Sequence, residues 1–182
     1  MTFEKIVTLK DGRTCLLRNG VASDGQVVLD VFNWTHDETD YLLTYSDENC
    51  FTASQEADFL QRKTDSANNV EIIAVVDDVV AGTAGIDALG MRDKIKHRAV
   101  FGIAITKEFW GLGIGKYLME ACIECAREAG YLQLELEVVA ENERAVEMYR
   151  RAGFIEYGRN PKAFRLRTGE YQELIDMRLE LK

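Results

Sequence analysis

The chain has 182 residues, of which 47% are hydrophobic and 29% charged, and a formal net charge of −9. That length and balance suit one globular domain over residues 1–182 and exclude a disordered chain. No apolar run approaches the roughly 20 residues of a membrane span, and Met1–Asp11 lacks the apolar core of a signal peptide. The acidic balance argues against nucleic acid, whose phosphates call for Lys and Arg. The expectation is therefore a cytoplasmic protein with neither membrane nor nucleic-acid partner. An anionic ligand must find its positive field locally.

Four cysteines occur, Cys15, Cys50, Cys122 and Cys125. Cys122 and Cys125 form a CxxC, but no second CxxC or His cluster completes a zinc site, so no metal is expected. Both fall on the apolar stripe of a helix and read as small core residues.

In chain order, Phe3–Leu9 and Thr14–Arg18 are strand-like and meet at the tight-turn pair Asp11-Gly12. A helix follows over Ser23–Thr35, with Ser23 or Asp24 as cap and Val27, Val28, Val31 and Phe32 at helical spacing. Thr52–Lys63 reads as a second helix, capped by Ser54, with Ala57, Phe59 and Leu60 inward. Glu71–Val76 and Val79–Ile86 form a hairpin about Asp77-Asp78. Leu89–His97 is a charged loop before the apolar strand Arg98–Thr106.

The clearest helix carries Ile114, Leu118, Ala121, Cys122, Cys125 and Ala129 on one face and stops at Gly130. Leu132–Val139 alternates, with Leu134, Leu136 and Val138 opposite Glu135 and Glu137. Asn142 caps a helix that runs to Ala152 and ends at Gly153. Phe154–Arg159 and Leu174–Leu181 read as closing strands. Alternating strands and helices point to a sheet with helices on its faces.

Chemistry concentrates at Phe109-Trp110-Gly111-Leu112-Gly113-Ile114-Gly115-Lys116, between a strand and a helix. Glycines let the backbone bend and let a ligand approach closely. The first N–H groups of the next helix lack internal partners, and the helix dipole makes that end positive. Together they suit a phosphate or pyrophosphate. The segment satisfies neither GxxxxGK[ST] nor GxGxxG, so on its own it is a weak signal, and a turn with packing glycines is the competing reading.

Further on stands Asn142-Glu143-Arg144-Ala145-Val146-Glu147-Met148-Tyr149-Arg150-Arg151-Ala152-Gly153-Phe154. The two segments together make the chain resemble the GNAT superfamily of N-acetyltransferases, sharply over Ala99–Gly158. The family's Gln/Arg-x-x-Gly-x-Gly/Ala falls on Trp110–Gly115, and its Asn-x-x-Ala-x-x-x-Tyr-x-x-x-Gly-Phe matches at every named position. The departure is Trp110, where the family carries Gln or Arg.

The resemblance implies an α+β fold, with a mixed, mostly antiparallel sheet, helices on both faces, and a gap between the strands Val100–Ile105 and Leu132–Val139. It implies acetyl-CoA as cosubstrate. The pantetheine arm would lie along Ile103, Ala104 and Ile105. The pyrophosphate would lie on Trp110, Gly111, Leu112, Gly113, Ile114, Gly115 and Lys116, with Asn142 and Ala145 opposite. Tyr149 falls where the family carries its general acid, and a phenol of reference pKa ~10 suits a departing thiolate. Glu137 is the candidate base, with His97 and Asp87 in reserve. The acceptor is a primary amine of a small molecule or protein, and the resemblance allows a homodimer. Aromatics among acids over Trp34–Phe51 (Trp34, Tyr41, Tyr45 with Asp37, Glu38, Asp40, Asp47, Glu48) suit a cationic amine, and equally an ordinary solvated connection. A non-catalytic CoA-binding module and a nucleotide-phosphate-binding protein are the readings that compete.

Overall fold

In the computed structural model, residues 1–181 are described. The strands are β1 (Glu4–Thr8), β2 (Thr14–Asn19), β3 (Val70–Val76), β4 (Val79–Ala88), β5 (Arg98–Ile105), β6 (Gln133–Val139), β7 (Ile155–Arg165) and β8 (Tyr171–Glu180). The helices are α1 (Gly25–Glu38), α2 (Ala53–Asp65), α3 (Ile114–Glu128) and α4 (Glu143–Arg151). The sheet has eight strands in the order β1-β2-β3-β4-β5-β6-β8-β7. Every neighbouring pair is antiparallel except β5 and β6, which are parallel. This is the mixed, mostly antiparallel sheet expected above.

Two apolar layers sandwich it. On one face Leu118, Cys122 and Cys125 of α3 and Val146 and Tyr149 of α4 pack on Leu17, Ile72, Ile86, Phe101, Leu136 and Ile175. On the other, Val28 and Val31 of α1 and Leu60 of α2 cover Ile73 and Val80. The CxxC pair is fully buried, and burial pushes the Cys125 thiol up to about 12 and Cys122 upward as well, as befits inert core residues.

Boundaries differ from the sequence expectations for physical reasons. Helix α1 begins at Gly25, because Ala22–Asp24 forms a 3₁₀ turn and the Asp24 carboxylate accepts from the Val21 N–H and the Arg18 guanidinium instead of capping. Thr52, not Ser54, caps α2 through a reciprocal pair with Gln55. Strand β7 continues past Pro161 to Arg165; it is an edge strand whose pairing is irregular between Asn160 and Phe164, where a missing N–H costs little. The Asp77-Asp78 turn has φ of 50° and 63°, the geometry of a type I′ hairpin.

Candidate active site

Only three rungs join β5 to β6: Arg98 with Gln133, Ala99 with Leu134, and Val100 with Glu135. Beyond them the strands part. The buried Glu135 of the last rung is tied back to the first, its carboxylate accepting from the Arg98 guanidinium at 2.5 and 2.7 Å.

The main chain facing this gap follows from the ladders on either side. Antiparallel pairing turns the hydrogen-bonding groups of alternate residues to opposite edges. The N–H of Thr106 donates to Ala81 and that of Leu89 to Arg98, which sets the even-numbered residues of β5 toward β4. Phe101, Ile103 and Ile105 therefore aim their N–H and C=O groups at the gap. Across it, the Ala140 N–H donates to Glu173 and that of Leu181 to Leu132, so Glu137 and Val139 of β6 do the same.

Beside the gap lies Tyr149, 5% exposed on the inner face of α4. Its ring stands edge-on to Phe101, the first β5 residue past the last rung, with centroids 6.1 Å apart, and leans on Phe154 at 5.7 Å. Burial raises the phenol above its ordinary pKa, so it is protonated at neutral pH. Helix α4 holds it there: the Asn142 side chain accepts the Ala145 N–H at 3.3 Å, and Gly153 ends the helix at φ +97°.

The glycine turn opens α3 directly after β5. Gly111 and Gly113 have φ of +84° and +96°, which L side chains adopt only with strain. Gly113 is the N-cap of α3 with no side-chain cap, so the first N–H groups of the helix point outward without one. At Gly115 an added Cβ would stand 3.2 Å from Met148 Sδ and 3.3 Å from Ile105 Cδ1. Glycine there lets α3 close on both α4 and β5. The exposed Lys116 ammonium lies 3.6 Å from the Glu120 carboxylate.

Trp110 does more than lend backbone. Its indole N–H donates to the Ile105 carbonyl at 2.7 Å, and the Arg144 guanidinium lies over its ring at 4.6 Å. One of the main-chain acceptors expected for the pantetheine arm thus already has a donor, while the Ile103 carbonyl and the Ile103 and Ile105 N–H groups face the gap. Sequence reasoning missed both Trp110's side chain and Arg144; the signal available was a cation in the first turn of a helix, where the dipole disfavours it.

Glu137 is exposed, on the face of β6 opposite Leu136 and Val138, directly across from Asp176 of β8. The two reserves for a base lie elsewhere: Asp87 holds Lys63 at 2.7 Å and pairs with Val100, and His97 immediately precedes β5, both at the closed end of the strands.

The acid-and-aromatic segment between α1 and α2 is stitched to the rest of the molecule. Arg167, from the β7–β8 turn, sits 4.0 Å over the Tyr45 ring and donates to Asp47 at 2.7 Å, and its N–H donates to the Tyr45 hydroxyl at 3.0 Å. Glu48 accepts from the Tyr45 N–H, Asp37 from the Ser46 hydroxyl, and Glu38 from the Lys107 N–H. Tyr45 and Asp47 thus already hold a cation from the chain itself, Arg167. Against it lies a cavity of about 200 Å³, lined among others by Asp40, Leu43, Tyr45, Phe164 and Arg165.

Known proteins resemble this arrangement. The chain matches the model of the acetyltransferase (GNAT) family over residues 29–154. It is 31% identical over 118 residues to an L-amino acid N-acetyltransferase of Escherichia coli, covering 64% of this chain and 72% of that protein. It is 30% identical over 111 residues to a spermidine N(1)-acetyltransferase of Vibrio cholerae, covering 60% of this chain and 64% of that one. Among solved structures, an acetyltransferase of the GNAT family from Streptococcus pneumoniae superposes with a TM-score of 0.87 at 26% identity, covering 91% of this chain and 99% of that one. A phosphinothricin acetyltransferase from Sinorhizobium meliloti, solved in complex with acetyl-CoA, shares the fold at a TM-score of 0.80 and 18% identity, covering 96% of this chain and 89% of that one. With the parted strands, the glycine turn and the capped helix carrying Tyr149 all in place, the chain belongs to the GNAT family of acetyltransferases.

Proposed function

We propose that this enzyme transfers an acetyl group from acetyl-CoA to a primary amine by direct attack in a ternary complex, with the coenzyme arm between β5 and β6. The observation that carries the reading is the loss of pairing after Val100 and Glu135 with Tyr149 buried beside it. The N–H and C=O of Ile103 and the N–H of Ile105 on one wall, with Asn142 and Ala145 on the other, suit an arm that carries two amides. The N–H groups of Leu112, Gly113, Ile114, Gly115 and Lys116 suit its pyrophosphate. When bound, acetyl-CoA supplies a thioester, an acyl carbon open to attack by a neutral amine.

The chain's own residues then have two proton tasks. Tyr149 keeps its proton at neutral pH and gives it to the departing thiolate. Glu137 stands on the solvent-facing side of the same gap, where it accepts the amine's proton through water. The acceptor enters from that side, past the 200 Å³ cavity. The amino acid and the polyamine in the names of the two relatives are the first acceptors to test. Reduced, unbridged cysteines fit a cytoplasmic setting.

A thiol-release assay with acetyl-CoA and a panel of amino acids, polyamines and peptides tests the activity. The expected result is amine-dependent release of CoA. Thermal stabilisation by acetyl-CoA with no release for any amine would favour the non-catalytic CoA-binding reading. Equal stabilisation by ATP or NAD would remove the coenzyme assignment.

A further inference from the structure

Trp110 is the one departure from the family's glycine-turn motif, and it removes a side-chain donor from the start of the turn. The structure shows what stands there instead. The indole is fixed at its edge by the hydrogen bond to the Ile105 carbonyl and carries the Arg144 guanidinium on its face. Arg144 is exposed in the first turn of α4, among N–H groups and a helix dipole that repel a cation. No carboxylate among the described residues pairs with it, in a chain with 31 acidic and 22 basic side chains. Its neighbours are neutralised: Arg150 meets Glu156 at 3.5 Å, Arg151 meets Glu147 at 2.8 Å and Lys116 meets Glu120 at 3.6 Å.

The contact of Gly115 with Met148 brings the first turn of α3 against the middle of α4, and Arg144 in the first turn of α4 lies over Trp110, three residues before the α3 N-cap Gly113, so an unpaired guanidinium stands beside the glycine turn. Such an arrangement is relieved by an anion that carries more than one charge.

We propose that Arg144 binds a phosphate group of the coenzyme, restoring from α4 the donor that Trp110 removes from the turn, and that Trp110 is the positioning residue that holds its guanidinium there. This rests on the acetyl-CoA reading above. The shared chemistry is a phosphate oxygen, which the coenzyme offers both in its pyrophosphate and in its 3′-phosphate.

The test is calorimetric titration of wild type, Arg144→Gln, Trp110→Leu and the double variant with acetyl-CoA, 3′-dephospho-acetyl-CoA and S-acetyl-pantetheine. Loss of a charge-assisted hydrogen bond predicts acetyl-CoA binding about ten-fold weaker in Arg144→Gln, with the gap to wild type shrinking as salt is raised. S-acetyl-pantetheine, which has no phosphate, should bind both proteins alike. Persistence of the loss with the dephospho compound assigns the pyrophosphate, and its disappearance assigns the 3′-phosphate. Trp110→Leu should reproduce part of the loss, and the double variant should be no weaker than Arg144→Gln. Binding of acetyl-CoA to Arg144→Gln within two-fold of wild type would overturn the proposal, as would an equal loss for S-acetyl-pantetheine. Failure of the wild type itself to bind acetyl-CoA would instead remove the coenzyme reading on which the proposal rests.

Discussion

Tyr149 and Phe101 meet edge-on, 6.1 Å between ring centroids, at the point where β5 and β6 stop pairing. The contact joins the helix that carries the proposed proton donor to the first strand residue free of a β6 partner. Packing there fixes the ring on the floor of the gap, while burial keeps its hydroxyl protonated.

Tyr149→Phe keeps that packing and removes the proton. The expected outcome is a kcat lower by ten-fold or more with nearly unchanged coenzyme affinity, on the scale of general acid catalysis. Steady-state kinetics beside a binding titration separate the two, and unchanged turnover would remove Tyr149 from the chemistry.

Gly113→Val should abolish acetyl-CoA binding. An added Cβ meets only ordinary contacts, 3.9 Å from the Lys10 side chain, so crowding from the protein is not the cause. The cause is φ of +96°, which a β-branched residue resists, so that the turn must rearrange and withdraw its N–H groups. Gly113→Ala should weaken binding less. Wild-type affinity in the valine variant would place the pyrophosphate elsewhere.

Gly25 opens α1 where it crosses α2. A Cβ there would lie 2.7 Å from the Ala53 carbonyl and 2.8 Å from the Ala57 Cβ, both held by helix backbone. Gly25→Ala should therefore destabilise the fold by about 1–3 kcal/mol, although alanine is the better helix former. A thermal melt equal to or higher than wild type would contradict this close approach.

Glu56 gives a pH signature. It is 8% exposed on the inner side of α2, and burial, followed by repulsion from Glu71, lifts its carboxyl to about 7 against the pull of Lys63. The folded value exceeds the reference 4.5, so the folded state binds the extra proton. Its contribution to stability is complete below the unfolded value and is lost as pH rises through about 7. Glu56→Gln should melt higher than wild type near pH 8 and lose that advantage below about pH 4.5. Parallel melting curves for the two proteins across that range would contradict the assignment.

Much of this was legible in the sequence because local rules and the fold agree. Alternation in β6, the stripe of α3 and the Asn142 cap with its Gly153 stop are consequences of period and backbone conformation, and each stands where expected. The missed start of α1 and the missed end of β7 arose from contacts outside their own segments, whereas the α2 cap was a choice between two local hydroxyls, Thr52 and Ser54. Arg18 draws the Asp24 carboxylate away from a cap, and an edge position lets β7 carry Pro161. The contacts of the aromatic-acid segment were hidden for the same reason: spacing cannot show that Arg167, 120 residues on from Asp47, lies over Tyr45 and pairs with Asp47. The role of the Trp110 side chain was hidden because its partners, Ile105 and Arg144, come together only in the fold.

A crystal structure with CoA bound tests the central claim most directly. The account predicts the pantetheine arm between β5 and β6, hydrogen-bonded to the main chain of Ile103, with the pyrophosphate on the N–H groups of Leu112–Lys116 and the thiol beside the Tyr149 hydroxyl. An arm lying outside that gap, or a thiol remote from Tyr149, would contradict it.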